Sequence, residues 1–79
     1  MISFDIRLSK IDDVRKFVNI TSASCVDVDL AAGRYLVDAK SIMGIFSLDL
    51  RNPVNVQIHA DHKDDEAKKL ADALTPFRI

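Results

Sequence analysis

Ser41 is the side chain best placed to do chemistry in this 79-residue chain. It stands in the run Lys40-Ser41-Ile42-Met43-Gly44, between an alternating segment (34–39) and a short apolar one (about Ile42 to Leu50). A hydroxyl at that junction is an N-cap, its oxygen accepting from a first-turn amide. The same position suits a phosphate, because free amides and a positive dipole end face it and Lys40 is adjacent. The other reactive groups are sparse. His59 and His62 form a His-x-x-His with Asp61 and Asp64 nearby. A strand end separates the two imidazoles, and neither a third ligand nor a closing pattern appears, so they read as surface histidines and no metal is expected. Cys25 is the only cysteine, so no internal disulfide can form, and the thiol reads as a small core or edge residue. No nucleophile–base pair, Gly-rich phosphate loop or catalytic carboxylate pair is present, so the chain is not expected to be an enzyme or to carry a cofactor.

The elements that must position Ser41 follow from periodicity. Ile2, Phe4, Ile6 and Leu8 alternate with Ser3, Asp5 and Arg7, as a half-buried strand requires. Ser9-Lys10-Ile11-Asp12 reads as a capping box, Ser9 accepting from first-turn amides and Asp12 reaching back. Ile11, Val14, Phe17, Val18 and Thr21 then follow at helical spacing. Residues 26–30 alternate again, Ala31-Ala32-Gly33 turns the chain, and 34–39 returns as a partner strand. Arg51-Asn52-Pro53 makes a turn before the strand Val54 to Ile58. A last helix begins near Asp61, with Asp64, Asp65 and Glu66 in its first turn, Ala67, Leu70, Ala71 and Leu74 on one face, and Pro76 at its close. Each strand has one apolar and one polar face. The expected fold is therefore α+β, an open-faced β-sandwich (βαββαβα): a four-stranded, mostly antiparallel sheet with three helices on one face.

Within the segment after Ser41, Gly44, Ile45 and Leu48 share the buried face, and Gly44 permits close approach to a neighbour. Ile42, Met43 and Phe46 are left with too little core to occupy, so at least two of them should reach solvent beside the serine. A flexible methionine in such a patch suits a docking surface. The alternative is that the patch packs against the first helix.

The segment Asp38-Ala39-Lys40-Ser41-Ile42-Met43-Gly44-Ile45-Phe46-Ser47-Leu48 closely resembles the regulatory-serine segment of HPr, the small phosphocarrier family of the bacterial sugar phosphotransferase system. The resemblance extends over nearly the whole chain, because the expected fold is also that of HPr, and it implies one HPr-like domain over residues 1–79. It implies that Ser41 is a target of HPr kinase/phosphorylase. It also implies that Lys40, Ile42, Met43, Phe46 and Ser47 contact protein partners. HPr carries its phosphoryl group on an N-terminal histidine in a Gly-x-His-x-Arg-Pro motif, which is absent here. At the start of the first helix this chain reads Ser9-Lys10-Ile11-Asp12-Asp13-Val14-Arg15-Lys16, with Asp12 or Asp13 near the histidine's place and Arg15 as the candidate counterpart of the arginine. Imidazole suits a carrier because its pKa is near neutrality and its phosphoramidate is labile; two carboxylates repel an incoming phosphoryl group. The chain therefore resembles the HPr-like proteins that lack the carrier histidine, keep the serine, and act in carbon catabolite repression by binding a transcriptional regulator. Two other readings stay open at this point. One is a phosphocarrier with an unconventional acceptor, an aspartyl phosphate at Asp12; the other is a purely structural partner-binding domain. A permanently phosphorylated carrier imitated by Asp12 and Asp13 is a variant of the regulatory reading.

Composition bounds the rest. A chain of this length buries roughly 60% of its unfolded surface. Its 48% hydrophobic and 29% charged residues are ordinary for a globular domain. A formal net charge of −1 gives no reason to expect nucleic acid or an anionic membrane as partner. No apolar stretch approaches the ~20 residues of a membrane span, and the alternating N-terminal residues do not read as a signal peptide. A cytoplasmic protein with protein partners only, monomeric or weakly dimeric, is expected.

Overall fold

A computed structural model describes all 79 residues. Strands β1 (Ile2–Ile6), β2 (Val28–Ala32), β3 (Tyr35–Asp38) and β4 (Val54–Ile58) form one sheet in the order β1-β4-β2-β3, every pair antiparallel. Helices α1 (Ile11–Ser22), α2 (Ile42–Phe46) and α3 (Asp65–Ala73) supply the other layer. The alternation explains why they share one face. Phe4 and Ile6, Val28 and Leu30, and Val54, Val56 and Ile58 are buried together with Val14, Phe17, Ile45, Leu70 and Leu74. The opposite face of the sheet is polar. Ser3 Oγ donates to Asn55 Oδ1 (3.1 Å), Asn55 Nδ2 to Asp5 (3.0 Å), and Gln57 Nε2 to Asn55 (3.2 Å), a ladder that needs no covering layer. Gly33, at φ 59°, makes the turn between β2 and β3 that its missing Cβ permits.

The element order expected from the sequence holds, with boundary differences that have physical causes. β1 stops at Ile6, although Leu8 is still buried, and β2 runs two residues later than the alternation suggested. α3 starts at Asp65 because the carboxylate of Asp64 accepts from the Ala67 amide (3.1 Å) and so caps it. α2 is a single short turn ending at Phe46, not at Leu50: the Ser47 hydroxyl donates to the Gly44 carbonyl, and the backbone closes behind it. Cys25 is exposed in the loop before β2 and belongs to no core. Past α3, a short 3₁₀ turn (Thr75–Phe77) brings the chain back along β1, where Arg7 N donates to Phe77 O (2.9 Å) and Ile6 bridges Arg78. Phe77 then meets Phe17 edge-to-face, ring centroids 6.0 Å apart.

One buried polar contact ties α1 to the segment that carries Ser41. Thr21 is fully buried, and its hydroxyl reaches Ala39 O at 2.8 Å and Val18 O at 3.2 Å. A hydroxyl has one proton to give, so the shorter bond to Ala39 is the one it makes. Thr21→Val keeps the shape but leaves the Ala39 carbonyl without a donor. It should lower unfolding free energy by about 1–3 kcal/mol. Ser22→Ala, one residue on and exposed, should change it by less than about 0.5 kcal/mol. Urea unfolding of the two variants checks this.

Candidate functional site

β3 hands the chain to α2 through a tight turn. The Asp38 carbonyl accepts from Ser41 N (3.0 Å) and its carboxylate from Lys40 N (2.9 Å). Ser41 then takes extended backbone angles (φ −101°, ψ 106°) and its Oγ accepts from Gly44 N at 3.2 Å, the capping bond expected from the sequence. Ser41 is half-buried. Gly44 is where α2 touches the sheet: a Cβ there would come within 3.3 Å of both Val37 Cβ and Ser41 Oγ. The close approach read from the sequence is therefore real, and it crowds the serine as well as the strand. The ammonium of Lys40 does not turn toward Ser41. It donates to the Ser24 carbonyl (2.9 Å), at the end of α1.

Around Ser41 the apolar residues of α2 divide as their spacing demands. Ile45 is fully buried and Leu48 nearly so, whereas Met43 is 77%, Phe46 45% and Ile42 36% exposed. All three outward residues reach solvent. Phe46 also lines, with Ile11, Val14 and Leu50, a shallow groove of about 360 Å³ between α2 and the start of α1. Ile11 was expected in the core stripe; it is 67% exposed, because it is the first residue of α1 and lies ahead of the sheet. It thus extends the patch rather than the core. Arg7, Lys10 and Arg51 border the groove. Only Arg51 has an acidic partner, Asp49, held by two parallel bonds of 3.0 Å.

The start of α1 departs from its expected cap. The N-cap is Lys10, not Ser9, and the residue that reaches back is Asp13, not Asp12. Asp13 Oδ2 accepts from Ser9 N, Ser9 Oγ and Lys10 N, each at 3.2 Å. Ser9 is thus a donor. Lysine has no acceptor atom, so no side chain caps the first-turn amides, and the Asp13 carboxylate instead fixes the two residues ahead of them. Asp12 is exposed and its Oδ1 lies 4.0 Å from Arg15 Nη1, a weak surface pair. His59 and His62 lie in the stretch between β4 and α3, and His59 Nε2 is 2.7 Å from Asp29 Oδ2. Neither histidine lies at the start of α1. The sequence reading missed Asp13 as the capping group because it fixed the box one residue early. The spacing Lys10-x-x-Asp13 was the available signal.

Comparison with known proteins is consistent with this architecture. The sequence model of the PTS-HPr family, described as the PTS HPr component phosphorylation site, matches residues 11–77, which include Asp12, Asp13 and Ser41. Comparison with curated proteins gives no significant match. Among solved structures, HPr-C-His from Thermoanaerobacter tengcongensis superposes with a TM-score of 0.74 at 27% identity, covering 94% of this chain and 90% of that one. The phosphocarrier protein HPr of Bacillus anthracis superposes with a TM-score of 0.66 at 20% identity, covering 91% and 94%. Crh, the Bacillus subtilis catabolite repression protein that forms an intertwined, domain-swapped dimer, does so at 0.62 and 23%, covering 100% and 92%.

The Asp49–Arg51 pair makes a test of the geometry beside α2. The Arg51 side chain, then its amide, hold the Asp49 carboxyl down to about 2 from its ordinary 3.8. A lowered carboxylate pKa contributes stability that is present above 3.8 and lost as pH falls through about 2. The pair is exposed and its members are two residues apart, so it can form in the unfolded chain as well, and global stability should hardly respond. Following Asp49 by NMR from pH 5 to 1.5 should give a midpoint near 2, and Arg51→Ala should return it toward 3.8. An unshifted midpoint in the native protein would show that the two bonds are not held in solution.

Proposed function

The chain belongs to the HPr family of the phosphotransferase system, and we propose that within it the protein is a cytoplasmic regulatory binding protein, not a histidine phosphocarrier. Members of this family are phosphocarriers, not enzymes, and they work by docking on other proteins of the system. In the reading we favour, the signal is phosphorylation of Ser41 by HPr kinase/phosphorylase, and the phosphorylated face is read by a catabolite-control transcriptional regulator.

The single observation that carries this reading is the contrast between two helix starts. At α1, where the family holds its carrier histidine, no imidazole is present, and the Asp13 carboxylate already takes three donors. Asp12, an acceptor for an aspartyl phosphate only in principle, is a solvated residue beside Arg15 and belongs to no cluster of three metal-ligating side chains. At α2, the neutral hydroxyl of half-buried Ser41 is flanked by Ile42, Met43 and Phe46, all partly or largely exposed. The patch supports a docking role because exposed apolar residues clustered beside a modifiable group give a partner both area and a switch. Lys40 and Ser47 enter this surface in a secondary way, since the Lys40 ammonium is held on Ser24 and the Ser47 hydroxyl on Gly44.

A phosphate on Ser41 adds about −1.5 to −2 charges and three acceptor oxygens. The α2 amides can donate to it, although a helix of five residues contributes little macrodipole. Lys40 can answer the charge only by leaving the Ser24 carbonyl, and Asp38, whose carboxylate sits on the Lys40 amide, opposes it. Phosphorylation should therefore rearrange the turn at Asp38–Ser41 instead of simply strengthening the helix.

Incubation with HPr kinase and ATP should add one phosphate, and Ser41→Ala should abolish it while lowering stability by about 1 kcal/mol through the lost cap. Phe46→Glu should leave the fold intact and abolish binding of the phosphorylated protein to its regulator. Unmodified mass after treatment that phosphorylates HPr would remove the proposal. Transfer of label from phosphoenolpyruvate through Enzyme I would restore the carrier role in its place.

A further inference from the structure

A second surface lies on the other side of α1, away from α2. Lys16, Asn19 and Ile20, spaced i, i+3 and i+4, form one wall of an open cleft of about 880 Å³. The returning C-terminal segment forms the other wall, with Ala73, Phe77 and Arg78, and Arg7 and Asp13 stand at one end. The volume lies in the range of small-ligand sites.

Charge distinguishes this cleft from an ordinary surface furrow. Arg7, Lys16 and Arg78 all line it, and none has a carboxylate within 4.0 Å. The one acidic side chain of the lining, Asp13, is committed to the Ser9 and Lys10 donors. Counting side chains, three cations and one anion leave the cleft at +2 in a protein whose net charge is −1. Arg78 is also held in place. Its guanidinium carbon lies 4.5 Å from the centre of the Phe4 ring, and its backbone bridges Ile6. A stacked guanidinium keeps its in-plane donors free while losing little freedom on binding. The apolar wall of Ile20, Ala73 and Phe77 gives room for a carbon skeleton next to these charges.

We propose that this cleft binds a small organic phosphate, its dianionic phosphoryl group among Arg7, Lys16 and Arg78 and its carbon part against Ile20 and Phe77. A dianion matches the side-chain charge, which a monocarboxylate does not, and the Asn19 amide and the cations supply donors for its oxygens. The site is independent of Ser41 and involves no covalent step.

Phenyl phosphate is the probe, titrated into the native protein and followed by amide NMR shifts. Saturable shifts confined to residues 7–9, 13–20 and 73–79 are expected, and they should weaken as salt is added. Lys16→Gln and Arg78→Gln should each weaken binding about tenfold. Lys68→Gln, at an exposed lysine of α3 outside the cleft, should leave it unchanged. Because Arg78 also covers Phe4, the exposed Lys16 variant decides if the Arg78 variant is unstable. Inorganic phosphate should shift the same amides more weakly; equal binding would overturn the assignment to an organic phosphate. Equal shifts with uncharged phenol, undiminished binding in Lys16→Gln, or shifts centred on α2 would overturn the site.

Discussion

Ile45 is the only side chain of α2 that is fully buried, and much of the rest of the molecule's surface logic follows from that anchor. A helix of five residues laid on a sheet can turn only one residue straight down. Gly44, beside it, is in a tight place, because a Cβ there would come within 3.3 Å of Val37 Cβ and Ser41 Oγ. With those two positions fixed, Ile42, Met43 and Phe46 have nowhere to go but outward, and Ser41 has to sit at the rim where β3 ends. The exposed apolar cluster is thus a geometric consequence of a short helix on a one-sided sheet. Met43, 77% exposed, is not required by packing to be large and apolar. That excess is what supports a docking role.

The three helix starts show how differently one backbone requirement can be met. α3 satisfies a first-turn amide with the Asp64 carboxylate and α2 with the neutral Ser41 hydroxyl, while at α1 the Asp13 carboxylate reaches back to the Ser9 and Lys10 amides just ahead of the helix. A carboxylate cap is electrostatically better, because the negative charge meets the positive end of the helix. It also occupies the amide that an anion at that cap would use. The neutral cap is the weaker solution for stability, but it leaves an oxygen that can still acquire charge. At α1 the consequence runs the other way: a phosphoryl group arriving there would meet Asp13 already seated on the local donors and Asp12 exposed in the first turn.

Much of this was legible in the sequence because it rests on local periodicity. The strict alternation of 2–8, 26–30 and 54–58 pointed to the one-sided sheet and the open-faced fold, with which the family resemblance of 38–48 agreed. The faces of α2 followed from the i, i+1, i+4 positions of Gly44, Ile45 and Leu48. What failed depended on where an element begins relative to the sheet. Ile11 obeys the helical stripe but lies ahead of the covered region, so it is exposed. The cap of α1 was misplaced by one residue because Ser9 and Lys10 offer nearly the same spacing to Asp12 and Asp13, and only the backbone angles choose between them. The cleft beside α1 was not legible at all. Arg7 and Arg78 are distant in sequence and line one cleft only because the C-terminal segment returns along β1.

That return also separates the two faces of α1. Phe77 packs edge-on against Phe17, and the segment it belongs to closes the side of the helix opposite α2. The α2 side presents apolar groups with Arg7 and Lys10 at the border, whereas the C-terminal side presents cations over an apolar wall. Arg7 borders both, because it leaves β1 at the point where the chain crosses to α1. A ligand that drew Arg7 into the cleft would therefore withdraw a positive charge from the edge of the α2 groove. Since unpaired surface cations chiefly steer association, such a shift would alter how fast an acidic partner docks more than how tightly it holds. The two surfaces meet at Arg7 and Ser9, and of these only Arg7 carries charge.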